Sequence, residues 1–155
     1  MGIPKGYLTT SMYKVSKKTQ YALTALKHMQ EYGHTCEENL TSAREICDKY
    51  DMPFDPVSKV MQKLNNSGIL SSIKGIKGGY FLSRPLSNLN LFEVSNIIEG
   101  KVKETACDAL KGKCDKYLAC ELISPIEKIN SHVNHHLISV SLEELLMNKT
   151  GVTHE

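Results

Sequence analysis

The hydrophobic pattern of this chain changes its period along the sequence, and the order of the changes restricts the possible folds. From Ser16 to Tyr32 apolar residues recur about every 3.6 residues, which predicts a helix that Gly33 ends. After a polar loop, Ser42 and Glu45 form a capping box, which predicts a second, short helix. Two helices therefore precede the segment in which the pattern changes.

A third helix is predicted directly after a short connection, so the second and third helices must turn sharply on each other. Asp55 is a candidate N-cap, Pro56 fits the first helical position, and Gly68 ends the helix. Its apolar stripe consists of Val57, Val60, Met61 and Leu64.

After Gly68 the period falls to about 2, which is typical of β-strands. The segments ILSSIK and YFLSRP read as two strands, and the glycine-rich GIKGG joins them as a hairpin. Helix, helix, tight turn, helix and hairpin is the order of a winged helix-turn-helix. The sequence therefore predicts a mostly α fold with a small β-hairpin, in which the third helix enters the DNA major groove and the hairpin, or wing, follows the backbone or minor groove.

The predicted DNA contacts are polar side chains on the outer face of the third helix and lysines on the wing. They are Ser58, Lys59, Gln62, Lys63, Asn65, Lys74 and Lys77. A solvated helix face would show the same polar pattern. Charge favours the DNA interpretation: residues 1–84 carry 12 Lys and Arg against 7 Asp and Glu, whereas residues 85–155 carry 7 against 10.

The second half of the chain predicts three more helices around a cysteine-rich segment. Asn90 and Glu93 cap the first, which ends at Gly100, and Ser141 and Glu144 cap the last. The long helix between them has an apolar stripe made of Ile126, Ile129, Val133 and Leu137. A dimer interface and an intramolecular core contact would both produce this stripe.

The sequence resembles the winged-helix iron–sulfur regulators typified by IscR and NsrR, with the cluster-free CymR as a relative. The resemblance covers about residues 13–147 and is carried by KKTQYALTAL, VMQKLNNSGIL, SSIKGIKGGYFLSRP, LNLFEVSNIIEG and the three cysteines that follow. It implies a homodimer whose long C-terminal helices cross, with a cluster near the dimer interface. The implied organisation is a flexible N-terminal extension (1–12), a winged helix-turn-helix domain (13–86) and a dimerisation region (87–155) that contains a cluster loop (101–121).

Three of the five cysteines, Cys107, Cys114 and Cys120, lie in the segment CDALKGKCDKYLAC. Thiolates are the usual ligands of iron–sulfur clusters, and a structural zinc knuckle needs closer cysteine pairs than these. The segment and the resemblance together predict a cluster of two or four irons. Idle thiols, a disulfide redox switch and a zinc site remain open. Of the other two cysteines, Cys47 is expected to be a small buried hydrophobe and Cys36 lies in a loop.

Three cysteines leave a fourth cluster ligand to be found. The IscR pattern has a histidine three residues after the third cysteine, where this chain has Ile123. In NsrR-type members a side chain of the partner subunit's first helix takes this role, and Gln20 is at the matching position. Three histidines of the long helix are better interpreted as interface or surface residues; they are His132, His135 and His136.

The remaining patterns exclude several classes of protein. There is no signal peptide, no apolar run long enough to span a membrane, and no phosphate loop or catalytic constellation. We therefore expect a cytoplasmic regulator of transcription, and specifically a repressor, rather than an enzyme. It should bind a near-palindromic double-stranded DNA operator as a homodimer. The implied signal is nitric oxide, oxygen or redox state, or iron–sulfur status. The alternative is a cluster-free regulator of the same fold, controlled by a thiol redox switch or a partner protein.

Overall fold

The computed structural model describes residues 15–100 and 123–147, which form six α-helices, one short 3-10 helix (Leu86–Asn88) and one two-stranded sheet. The helices are α1 (Lys17–Glu31), α2 (Ala43–Tyr50), α3 (Phe54–Asn66), α4 (Leu91–Glu99), α5 (Ile123–Ser139) and α6 (Leu142–Met147). The strands are β1 (Leu70–Ile73) and β2 (Gly79–Leu82). The extension 1–12 and the cysteine segment lie outside the described residues. No described helix has the length and apolar character needed to cross a membrane.

Local capping signals set most helix starts. The hydroxyl oxygens of Ser16 and Ser42 each accept an amide hydrogen bond three residues on, at 3.1 Å, and Asn90 and Ser141 do the same for α4 and α6. At α3 no side chain makes a capping bond, and Pro53 takes the N-cap position. The predicted cap at Asp55 was therefore wrong. Asp55 instead lies in the first turn of α3, where its negative charge favours the helix dipole.

The predicted hairpin is confirmed, with β1 and β2 antiparallel from the pair Leu70 and Leu82 to the pair Ile73 and Gly79. A third segment joins the sheet edge: the Tyr80 amide donates to the Thr41 carbonyl at 2.8 Å, and the Thr41 amide donates to the Tyr80 carbonyl at 3.0 Å. This close approach explains Gly79, because a Cβ there would lie 2.7 Å from the Thr41 carbonyl oxygen. The base of the wing is thus tied to the residue that leads into α2.

One hydrophobic core joins the first four helices to the end of the chain. Its fully buried members include Leu26 of α1, Leu64 of α3, Ile98 of α4 and Leu142 of α6. The Leu142 amide donates to the Leu89 carbonyl at 2.8 Å, which docks α6 on the turn before α4. The core therefore continues past the expected domain boundary near residue 86, and α4 is built on the same packing as the helix-turn-helix.

Candidate nucleic-acid interface

A helix-turn-helix is formed by α2 and α3, with only three residues between them. Asp51 makes the turn in the left-handed region, at φ 50°, and Pro53 cannot continue a helix. The stripe of Val57, Val60 and its neighbours is buried as predicted, so α3 must present its opposite face outward. The guanidinium of Arg44 lies 5.0 Å from the ring centre of Phe54, which further fixes the crossing of the two helices.

The predicted contact residues of α3 differ in how freely they meet solvent. Lys59 and Gln62 are exposed, and Ser58 and Asn65 are half-buried. Lys63 is also exposed, but its ammonium donates to the Ile98 carbonyl at the end of α4, 2.5 Å away. A cation at a helix C-terminus is stabilised by the carbonyls there. Lys63 therefore links α3 to α4 in this structure.

The wing presents two cations and one apolar side chain to solvent. Lys74 and Lys77 are both exposed on the turn, as predicted. Between them, Ile76 has a relative exposure of 107%, the largest of any described hydrophobic residue. Gly75, at φ 124°, provides the backbone conformation that projects this tip. Ile76 was not among the DNA contacts predicted from the sequence. An isoleucine between two lysines in a glycine turn is nevertheless a pattern that indicates a contact residue.

The last turn of α4 is held by α1 as well as by Lys63. The Ser16 hydroxyl donates to the Glu99 carboxylate, and the Thr19 hydroxyl donates to the same oxygen at 3.2 Å. A cleft of about 250 Å³ lies here between α1, α3 and α4, with Lys18 and Lys59 on its walls. Gly100 ends α4, so the predicted cluster loop 101–121 starts directly beside these contacts.

The three loop cysteines lie outside the described residues. The candidate fourth ligand, Gln20, is exposed near the start of α1, and its side-chain nitrogen donates to the Val15 carbonyl at 3.0 Å. Because the nitrogen makes this bond, the amide oxygen of Gln20 is the atom that could bind iron. Among the other cysteines, Cys36 is exposed and Cys47 is buried as predicted, and burial raises the pKa of the Cys47 thiol.

The predicted interface stripe on α5 is exposed over part of its length. Ile129 has a relative exposure of 61% and Val133 of 39%, whereas Leu137 is half-buried and packs against the core of its own chain. The side chain of Ile126 lies outside the described set. Exposed apolar residues continue at Ile138 on α5, and further on with Leu145 and Met147 of α6. Scattered exposed hydrophobics are ordinary, but a run along two neighbouring helices marks a candidate contact surface.

Elsewhere, two histidines and two tyrosines pack where α1 meets α2. The rings of His28 and Tyr32 stack at 4.7 Å between centres, and those of His28 and His34 at 5.4 Å. Burial, followed by the charges of His34 and Lys49, lowers the pKa of His28, while burial raises the pKa of Tyr50. The ammonium of Lys49 lies 3.5 Å from the Tyr32 ring centre, and the hydrogen bond with Tyr32 is the main cause of its raised pKa.

The sharp helix–turn–helix, the exposed face of α3 and the lysine-bearing wing define a winged helix-turn-helix protein. The family model of Rrf2, described as an iron-dependent transcriptional regulator, matches residues 15–148. The chain belongs to this family, whose members are transcriptional regulators rather than enzymes.

Individual relatives agree with this assignment. The transcriptional regulator IscR of Xenorhabdus nematophila is 24% identical over 136 residues, which are 88% of this chain and 80% of that protein. The structure of CymR, the global cysteine regulator of B. subtilis, superposes with a TM-score of 0.64 at 24% identity and covers 88% of this chain and 98% of that one. The structure of T. potens IscR also superposes with a TM-score of 0.64, at 21% identity, and the match covers 88% of each chain. The predicted fold class and family resemblance are confirmed.

Proposed function

We propose that the chain is a dimeric transcriptional repressor whose operator affinity is controlled by an iron–sulfur cluster on Cys107, Cys114 and Cys120. The observation that carries DNA binding is the outward face of α3, with Lys59 and Gln62 exposed, followed directly by the exposed wing lysines. Donors of this kind contact base edges and phosphates. A protein with this task works in the cytoplasm, where thiolates stay reduced.

The donor set of the cysteine segment fits a cluster. Three thiolates within one fourteen-residue segment match the soft ligands that iron–sulfur clusters take, and the fourth position falls to Gln20 of a partner subunit or to an external ligand. When bound, the cluster would supply a group that reacts to redox change or nitric oxide. Two or four irons both suit three thiolates, and iron and acid-labile sulfide analysis of anaerobically purified protein counts them.

The contacts at the end of α4 provide a physical route from this loop to the DNA-binding helix. The predicted cluster loop follows Gly100, and the turn before it is held by Lys63 of α3, by the α1 cap Ser16 and by Thr19 of α1. A change in the loop that displaces this turn must break or move these bonds. The loop can therefore bias the position of α3. The size of this bias equals the difference in the free energy of cluster binding between the two positions of α3.

A second candidate is a cluster-free regulator of the same fold, controlled by a thiol redox switch or a partner protein. CymR supports it as a neighbour in fold. This candidate would be favoured if anaerobically purified protein is colourless, lacks iron and sulfide, and still binds its operator specifically.

The wing lysines should contribute to affinity for any duplex. Lys74→Ala with Lys77→Ala removes two exposed cations per protomer, so fewer counterions are released on binding. We expect the slope of log K against log salt to become shallower by about 0.9 for each lysine that contacts a phosphate, up to about 3.6 for a dimer. Fluorescence anisotropy with a random-sequence duplex over a series of salt concentrations measures this slope.

The matched control is Lys27→Ala with Lys128→Ala, which removes the same charge from exposed positions on α1 and α5. It should keep the original slope. Ser58→Ala and Gln62→Ala should change the preferred sequence more than the overall affinity. An unaltered slope in the wing variant would refute the wing assignment.

Lys63 should affect coupling more than folding. Lys63→Met keeps the apolar stem but removes the donor to the Ile98 carbonyl. We expect the ratio of holo to apo operator affinity to move toward one, because a bond between α3 and the loop-bearing end of α4 is lost. Lys59→Met, on the exposed face of the same helix, should lower both affinities and preserve their ratio. Equal ratios in the two variants would show that this bond carries no coupling.

A further inference from the structure

One buried polar atom lacks a role in the interface described above. The Nε2 atom of His28 is buried, in a residue that is 1% exposed, and it is without a hydrogen-bond partner in the described part of the chain. Stacking against Tyr32 and His34 accounts for the ring but not for this nitrogen. Buried polar atoms in native proteins are almost always paired, so this one calls for a partner.

Two other ligand-type side chains lie beside His28. His34 of the loop after α1 and Glu45 of α2 each offer a ligand atom, and the three atoms, one per residue, lie within 4.8 Å of one another. His34 is buried, while Glu45 is exposed, so one side of the group is open to solvent. A small ion could enter from that side and meet all three residues.

The hydrogen bonds behind the two imidazoles leave the same nitrogen of each ring free. The Nδ1 atom of His34 lies 3.3 Å from the Asn39 carbonyl oxygen, and since a carbonyl only accepts, this nitrogen carries the hydrogen. The Nδ1 atom of His28 lies 3.3 Å from the Tyr50 hydroxyl oxygen, which can accept in the same way. Both rings then present a lone pair on Nε2, the arrangement that metal-ligating histidines show.

The carboxylate is oriented as well. The Thr41 hydroxyl donates to Oε2 of Glu45 at 3.0 Å, which leaves Oε1 for a ligand. Two imidazoles and one carboxylate suit Zn²⁺ or Fe²⁺ and leave at least one coordination position open.

We propose that His28, His34 and Glu45 form a binding site for one divalent transition-metal ion, separate from the loop cysteines. Metal–nitrogen bonds of about 2.0–2.1 Å require the three side chains to close in slightly, which the exposed Glu45 side chain can accommodate. The partner of the orphan nitrogen is then the ion itself.

The position of the site gives it a structural effect. It joins the last turn of α1 to the first turn of α2, and the Leu82 amide of the wing donates to the His34 carbonyl at 2.8 Å. An ion bound here would cross-link α1 and α2 beside the base of the wing. A ligand that binds only the folded state raises the melting temperature, so the metal should stabilise the DNA-binding domain.

The test uses untagged full-length protein carrying Cys107→Ser, Cys114→Ser and Cys120→Ser, so that these three thiolates cannot contribute. Zn²⁺ is titrated in competition with a chromogenic chelator, and Co²⁺ is followed by visible absorption. We expect one ion per protomer, a Co²⁺ spectrum without thiolate charge transfer, and a higher melting temperature with Zn²⁺.

Glu45→Gln and His34→Gln should each weaken Zn²⁺ binding by about tenfold or more and remove the thermal shift. Glu45→Gln alters an exposed side chain, and circular dichroism without metal verifies its fold. His132→Gln, at an exposed position on α5, should bind as the parent does. Absence of Zn²⁺ binding in the parent, or equal affinity in Glu45→Gln and His132→Gln, would overturn the proposal. Neither result depends on whether the wild-type loop holds a cluster or the domain binds DNA.

Discussion

Serine at any one of positions 107, 114 or 120 should abolish or sharply destabilise the iron–sulfur cluster and leave the protein with apo behaviour. Each substitution removes one of the three thiolates proposed to hold the irons, and a hydroxyl is a poor replacement for a soft thiolate ligand. Iron and sulfide content and the visible absorption of anaerobic protein measure the loss.

Operator affinity should follow the cofactor. We expect holo and apo protein to differ by about tenfold or more, or about 1.4 kcal/mol, which is the usual scale of coupling between two sites. The three serine variants should bind the operator like chelator-treated protein and should no longer respond to nitric oxide or oxygen. Titration of one operator with holo protein, apo protein and each variant compares these states directly.

The remaining cysteines supply the controls. Cys36→Ser changes an exposed thiol, and Cys47→Ala removes a buried thiol without placing a hydroxyl in the core. Both variants should keep the cluster, because neither residue lies in the loop. If holo protein, apo protein and the three serine variants all bind the operator with equal affinity, a bound cluster would have no regulatory role.

The second large effect is expected at the exposed stripe of α5. Asp at both Ile129 and Val133 would place four carboxylates in the seam of a two-fold interface, where charges are costly to bury. The variant should be monomeric by sedimentation velocity at micromolar concentration, where the wild type should be a dimer.

Loss of the dimer should also weaken DNA binding. A dimer that binds two half-sites loses translational and rotational entropy only once. Linking two binding units in this way typically raises affinity by about 10²–10⁴-fold. We expect the monomeric variant to lose affinity for a palindromic operator on this scale while keeping its weaker affinity for a single half-site.

His135→Asp with Ser139→Asp is the matched control, since it adds carboxylates at the same four-residue spacing, at exposed positions of α5 away from the stripe and from Ile138. This variant should remain dimeric. A wild type that sediments as a monomer, or an Ile129 and Val133 variant that still dimerises, would contradict the interface.

Much of the architecture was accessible from local signals. The predicted caps at Ser42, Asn90 and Ser141 are all observed, because a capping hydroxyl or amide acts on an amide only three residues away. The hairpin follows equally from alternation and glycine. The start of α3 lies two residues earlier than predicted, because Pro53 rather than Asp55 takes the N-cap position and no side chain caps it.

Contacts between distant elements were decided by the tertiary structure alone. Lys63 reads in the sequence as one more outward cation, yet packing brings the end of α4 within reach of its ammonium. Leu137 belongs to the α5 stripe by spacing but packs on its own core. His28, His34 and Glu45 share no motif, and they meet because α1 and α2 cross there. Helical period and capping extend over a few residues and so are written in the sequence, whereas these neighbours depend on how whole helices pack.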